Sequence, residues 1–394
     1  MDYSEAGLSG HDWLSDDGWA DPDSLLGQLQ RGRGIGLQRA LSARAADAVL
    51  MCFGQNARWD RQLEERGWYM ARLVRELEIP LAELPWDAAA SEMADSVVFD
   101  ALLELSAHGS AEAAAMLHAH VLQAPGDQVG ELALALWIGG GPAARDGLGE
   151  LVLGRLDDAA LAEAAWPGDD GPWAAWSADP RVAAALEARR QEEVSRVRGP
   201  RAAKPQLNGE TLDVLMDLAT GDAPDVRQRA AVRELVRRGE TSALDLLERL
   251  DLRRPSGWAP HLTPIANGLG PKALPRARRW LTSSDPYLER VAQGIVADHG
   301  VDEDVPTIVD LFETAAASGD WLITEPLADA FGRLGVTAAR EALLQAWAST
   351  QHSHARAAYL RALHDVGSPE AAELVAEATD DCESEVREVA SAIS

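Results

Sequence analysis

Cysteine is almost missing from this chain of 394 residues: only Cys52 and Cys382 occur, 330 positions apart. Two such residues write no zinc knuckle, redox CxxC or disulfide framework. Both are expected to be reduced, buried thiols, since a free cysteine packs as a small hydrophobe. Lysine is as scarce: Lys204 and Lys272 are the two among 36 basic residues, and neither lies in a glycine-rich loop. That excludes a GxxxxGK[ST] phosphate loop, and the HExxH and GxSxG signatures are also absent. Long alternating runs of Val, Ile and Thr are missing, so no sheet is expected. The longest apolar run, near Leu132–Ile138, falls well short of the ~18 residues that span a membrane. The first residues carry neither a basic nor an apolar leader region, so they do not read as a secretory signal. A cytoplasmic protein without cofactor is expected, and the alanine-rich, lysine-poor composition suggests a bacterial source.

Negative charge, by contrast, is plentiful, with 64 Asp and Glu against 36 Lys and Arg, a formal net charge of −28. It is unevenly placed: residues 1–30 carry −7, residues 31–204 carry −8, residues 205–300 balance, and residues 301–394 carry −13. Such a balance argues against a basic face for coating nucleic acid or an anionic membrane, and favours steering of a basic protein partner.

A glycine period organises the second half. Gly209, Gly239, Gly270, Gly300, Gly335 and Gly367 are separated by 30, 31, 30, 35 and 32 residues. Most intervals hold two helical patterns split by a short polar break. In the first, Leu212, Leu215 and Leu218 line one helix and Val226, Ala230 and Leu235 the next, with Gly221–Asp225 between them and Gly239 in place to end the second. Later copies place Leu288, Val291 and Ile295, then Ile308, Phe312, Leu322, Leu327 and Phe331, then Leu343, Trp347, Leu360 and Leu363, on apolar stripes. Asp285-Pro286 and Asp304-Val-Pro306 are helix starts.

The segment Asp225-Val-Arg227 followed by Ala230, Ala231 and Leu235, and again Glu385-Val-Arg387 followed by Ala390, resembles the second helix of a HEAT-like repeat. The resemblance implies an all-α fold, an α-solenoid of stacked antiparallel helix pairs. The organisation expected is an acidic, disordered tail over 1–23, an irregular helical half over 24–198, a linker over 199–208 and HEAT-like repeats over 209–394. Leu37–Phe53, Asp60–Leu77 and Ala88–Ala107 read as amphipathic helices of the first half. The acidic last repeat suits the polar cap that ends a solenoid.

Thirteen tryptophans against four phenylalanines is unusual. Trp258, Trp280, Trp321 and Trp347 stand at repeat positions and are expected in the core. Trp166, Trp173 and Trp176 lie in the Pro/Gly-rich acidic stretch WPGDDGPWAAWSADP, where aromatics suit partner anchoring, or cover the end of the first half. Trp13 and Trp19 in the tail suit a recognition segment that orders on binding, or one that folds back. The one basic concentration includes Arg227, Arg233, Arg237 and Arg254. It marks an anionic partner surface, or a set of internal ion pairs, the commoner outcome. Arg31-Gly-Arg-Gly-Ile-Gly36 before a helix suits an anion, or is a flexible helix start. His118 and His120 point about 200° apart on a helix, whereas His352 and His354 fall in a loop where they could pair. No metal site is expected.

No catalytic constellation emerges. The reading is therefore a non-enzymatic protein-interaction scaffold or adaptor, with an immunity- or inhibitor-like protein that sequesters a basic partner as its specific form. The resemblance alone implies the alternative of a HEAT-like enzyme such as a chromophore lyase or DNA glycosylase, for which Trp321 and Glu325, one helical turn apart, would face a groove.

Overall fold

The computed structural model describes residues 18–55, 65–87, 89–90, 96–168, 170–197, 206–220, 226–248 and 266–394. Every regular element among them is helical, α-helices joined by short 3-10 turns, with no β-strand. Trp13, Arg254 and Trp258, the break Gly221–Asp225 and most of the expected linker lie outside the described residues. The chain forms two compact units. One comprises Met1–Arg201 together with Gln351–His354 and Ala372–Ser394, the other Ala202–Thr350 together with Ala355–Ala371.

The second unit is built of helix pairs. Leu212–Ala219 packs on Val226–Arg238, Leu274–Trp280 on Pro286–His299, Val305–Ser318 on Trp321–Leu334, and Arg340–Ser349 on Ala355–Asp365. The second helices also stack on one another, Pro286–His299 on Trp321–Leu334 and the latter on Ala355–Asp365. The local signals work as expected. Asp285 caps its helix by accepting the Tyr287 N–H, Pro286 occupies the first turn, and Gly239 ends its helix at φ +69°. Phe312 packs edge-on against Phe331 and Tyr359, at centroid distances of 5.1 and 6.0 Å. Trp280, Trp321 and Trp347 are buried, as their repeat positions predict. Leu212, Val226 and Leu322 depart from expectation and are exposed. Leu322 falls off the inward face because Trp321, Thr324, Ala328 and Phe331 hold it at spacings of three and four.

In the first unit the expected single helix over Leu37–Phe53 is two, Gly34–Ala43 and Ala46–Gln55, because Arg44 between them adopts a left-handed conformation at φ +50°. Helices Gly67–Glu76, Val97–Ala107 and Ala111–Gln123 follow and pack in sequence. Part of the expected tail is folded onto the unit: Trp19 and Ala20 are buried, and the Arg31 guanidinium lies 5.3 Å from the Trp19 ring centre and donates to the Ala20 carbonyl at 2.9 Å. Helix Pro180–Val197 packs against Asp158–Ala164.

The far end of the chain completes this unit. Arg33 makes a two-pronged ion pair with Glu377, 2.8 Å from Nε to Oε1 and 3.1 Å from Nη2 to Oε2. Arg72 bonds Asp380 at 2.6 Å, and the Cys382 N–H donates to the Gly32 carbonyl at 2.9 Å. Glu65 accepts the Ser384 N–H at 3.0 Å, and Arg387 covers the Trp68 ring at 4.3 Å. The last repeat therefore is not the free polar cap expected of it. Its acids Glu377, Asp381 and Glu383 are buried, because arginines of the first helices neutralise Glu377 and Glu383.

Candidate functional site

Within the first unit, helix Val129–Gly139 carries the apolar run Leu132–Ile138. A helix apolar on one side buries that side; one apolar all round needs cover on both. Here Leu132, Ala133 and Leu136 face the core, while Leu134 and Ile138 remain exposed, Ile138 at 68%. Their exposed side forms one wall of a groove of about 700 Å³, closed by helix Asp158–Ala164 and the loop that leads to the short helix Pro172–Ala175. Gly130 sets the wall spacing: a Cβ there would stand 2.6 Å from the Ala164 Cβ.

Trp166 projects into this groove at 63% exposure. The Arg189 guanidinium lies 5.9 Å from its ring centre. That arginine is itself held, donating to the carbonyls of Ala162 at 3.2 Å and Glu163 at 2.8 Å at the end of their helix. Beneath the loop, Trp173 is edge-on to Trp176 at 5.4 Å, and Trp176 is edge-on to Trp137 at 5.9 Å. The Trp137 indole N–H donates to the Asp170 carbonyl at 3.0 Å, tying the loop down. Four exposed acids, Asp127, Glu131, Glu163 and Asp170, rim the groove. Among the described residues no lysine, arginine, histidine, serine, threonine or cysteine lines it. The lining thus combines apolar surface with carboxylates.

The expected anchors separate accordingly. Trp166 is exposed and Trp176 half-buried. Trp173, 3% exposed, is buried beneath the loop, and Trp19 is buried against Arg31, which fits the alternative each carried in the sequence. In the second unit Arg227 and Arg233 are exposed, but Arg237 is engaged by Glu234 at 2.6 Å. Hydrogen bonds from Arg237 and Arg238 hold the Glu234 carboxyl down at about 2. Arg276 pairs with Asp245 and Glu248, and Arg278 with Asp304, so internal pairing takes up much of the arginine concentration. The aromatic side of the expected Trp321–Glu325 groove is absent, because Trp321 is buried.

A second cluster is closed. Glu383, fully buried, lies 3.5 Å from Arg66 Nη1 and 3.2 Å from His354 Nε2, and accepts from the Ser353 hydroxyl. Arg66 also donates to the Cys382 sulfur. Burial pushes the Glu383 carboxyl above the usual carboxylate range, against the opposing pull of Arg66, Ser353 and His354. His352 and His354 do pair, with ring centres 5.8 Å apart. No group of three or more metal-ligating side chains forms among the described residues. Cys52 and Cys382 are buried thiols, and desolvation raises the Cys52 thiol to about 12. The Arg31–Gly36 run likewise meets an internal anion, the carboxylate of Glu377.

The fold is thus an α-helical repeat fold of the solenoid class. Residues 308–394 match the HEAT-repeat family, described as HEAT repeats. No curated protein and no solved structure is significantly similar to the chain. HEAT repeats commonly serve as protein-interaction scaffolds. No helix among the described residues is long and apolar enough to cross a membrane.

Proposed function

We propose that the protein is a non-enzymatic interaction scaffold that engages a basic protein partner at the Trp166 groove. The observation that carries this reading is the coincidence of an exposed tryptophan, two exposed aliphatic side chains and four acids in one concavity. Interface centres are built from such aromatic anchors, and complementary charge steers the approach. The immunity- or inhibitor-like form of the reading draws on the same acidity.

A photo-crosslinking residue introduced at Gly168, which lines the groove with open space around it, tests it in the full chain. Proteins captured there should be basic, and W166A should weaken their binding by about 2 kcal/mol or more, the scale of an interface hot spot. Binding should also weaken from about 0.1 M to 1 M salt, as the Debye length falls from ~10 to ~3 Å. No capture of a basic protein there, or salt-indifferent binding, would overturn the reading.

A further inference from the structure

We infer that the segment received by the groove is amphipathic as well as cationic: an apolar side chain seated between Trp166 and the Leu134–Ile138 wall, flanked by arginines or lysines that meet the acidic rim. This rests on the scaffold reading and names the chemistry of the partner.

The argument begins at the Trp166 ring. Arg189 already takes one face, held there by two backbone carbonyls. The ring is nevertheless 63% exposed, so it retains open surface. A second cation on the opposite face would share the same ring quadrupole and lie on the order of 10 Å from the Arg189 charge, with the same sign. An apolar group meets neither penalty. Leu134 and Ile138 extend that apolar surface, on the outer side of a helix whose inner side is already buried. The cations belong instead at the rim, where Asp127, Glu131, Glu163 and Asp170 are exposed. Arg189 is therefore a positioning residue, which sets the ring upright for a partner it does not itself contact.

Two amidated peptides of about 12 residues, long enough for three helical turns, serve as probes against the full chain. Both carry the same number of arginines. One places leucines at i, i+3 and i+7, and the other replaces those leucines with serine. By isothermal titration the leucine peptide should bind roughly tenfold or more tightly than the serine peptide, because only it removes apolar surface from water. W166A and I138S should abolish that difference while leaving the weak, salt-sensitive binding common to both. R189A should lower affinity for the leucine peptide alone. Circular dichroism confirms that each variant keeps its helix content. Equal binding of the two peptides, or discrimination that survives W166A, overturns the inference and leaves the scaffold reading standing. Failure of both peptides while proteins still crosslink at residue 168 overturns the cationic amphipathic partner. Failure of both peptides with no crosslink at the groove overturns the scaffold reading itself.

Discussion

Glu383 holds a carboxylate out of water beside Arg66, Ser353 and His354, and its neighbours Asp381 and Cys382 are equally buried. Removing one member of a buried ion pair strands the other. E383A should therefore destabilise the fold by about 3–5 kcal/mol, measured by denaturant unfolding, because the buried Arg66 would lose the Glu383 carboxylate. The pH dependence has a definite sign. The folded carboxyl is raised above its unfolded value, so its stabilising contribution is full below the ordinary glutamate range and is lost as pH rises through the raised value. The stability difference between the wild type and E383Q should accordingly move against the wild type from about pH 4 to pH 8. A flat difference would mean that the carboxyl does not titrate differently in the folded state.

Among the elements, the first turn of helix Gly34–Ala43 is one place where the two ends of the chain meet. A Cβ on Gly34 would lie 1.9 Å from the Glu377 carbonyl oxygen, an atom of the backbone that cannot swing aside. The glycine permits the approach that brings Arg33 onto Glu377. G34A should cost about 1–3 kcal/mol, the usual scale for forcing extra volume into a packed site. Hydrogen exchange should show helix Ala371–Ala378 losing protection before the helix pairs of the second unit; uniform loss would overturn this account. The Trp166 groove depends on an element in a different way. Its wall is a helix that the sequence made apolar on both sides, and only one side has a covering neighbour.

At the scale of the molecule, the first unit draws its parts from both ends of the chain, with side-chain pairs more than 300 positions apart. Contacts of such separation form only after a large loop closes. A fragment of residues 1–201 would lack Glu377 and Glu383, and with them the buried ion pairs to Arg33 and Arg66. That fragment should melt below the full chain, and a synthetic peptide of residues 372–394 added in trans should raise its melting temperature. Indifference to the peptide would mean that the first unit is complete without it. The arrangement also changes the meaning of the −28 charge: several acids of the last repeat face inward and neutralise arginines, so they do not all add to the field that a partner meets.

The sequence by itself determined the helical class and much of the repeat grammar. Caps, prolines, glycines and three-to-four spacing act within a few residues of one another, and Asp285, Gly239 and the buried Trp280 and Trp347 follow from them. It also set Trp166 apart, because an aromatic in a proline-rich acidic loop has no helix stripe to join, but left it as either a partner anchor or a cover for the first half. The same spacing misplaced Leu322 and joined two helices across Arg44, where a single left-handed residue changes direction without a glycine to announce it. The groove wall had a signal, the all-round apolar run Leu132–Ile138, but a run of that kind reads equally as buried core. Which side found a neighbour was decided by tertiary packing. So was the internal use of Arg33 and Arg66, because an arginine's counter-ion 300 or more residues away leaves no periodic trace in the chain and is selected only when the two backbones meet.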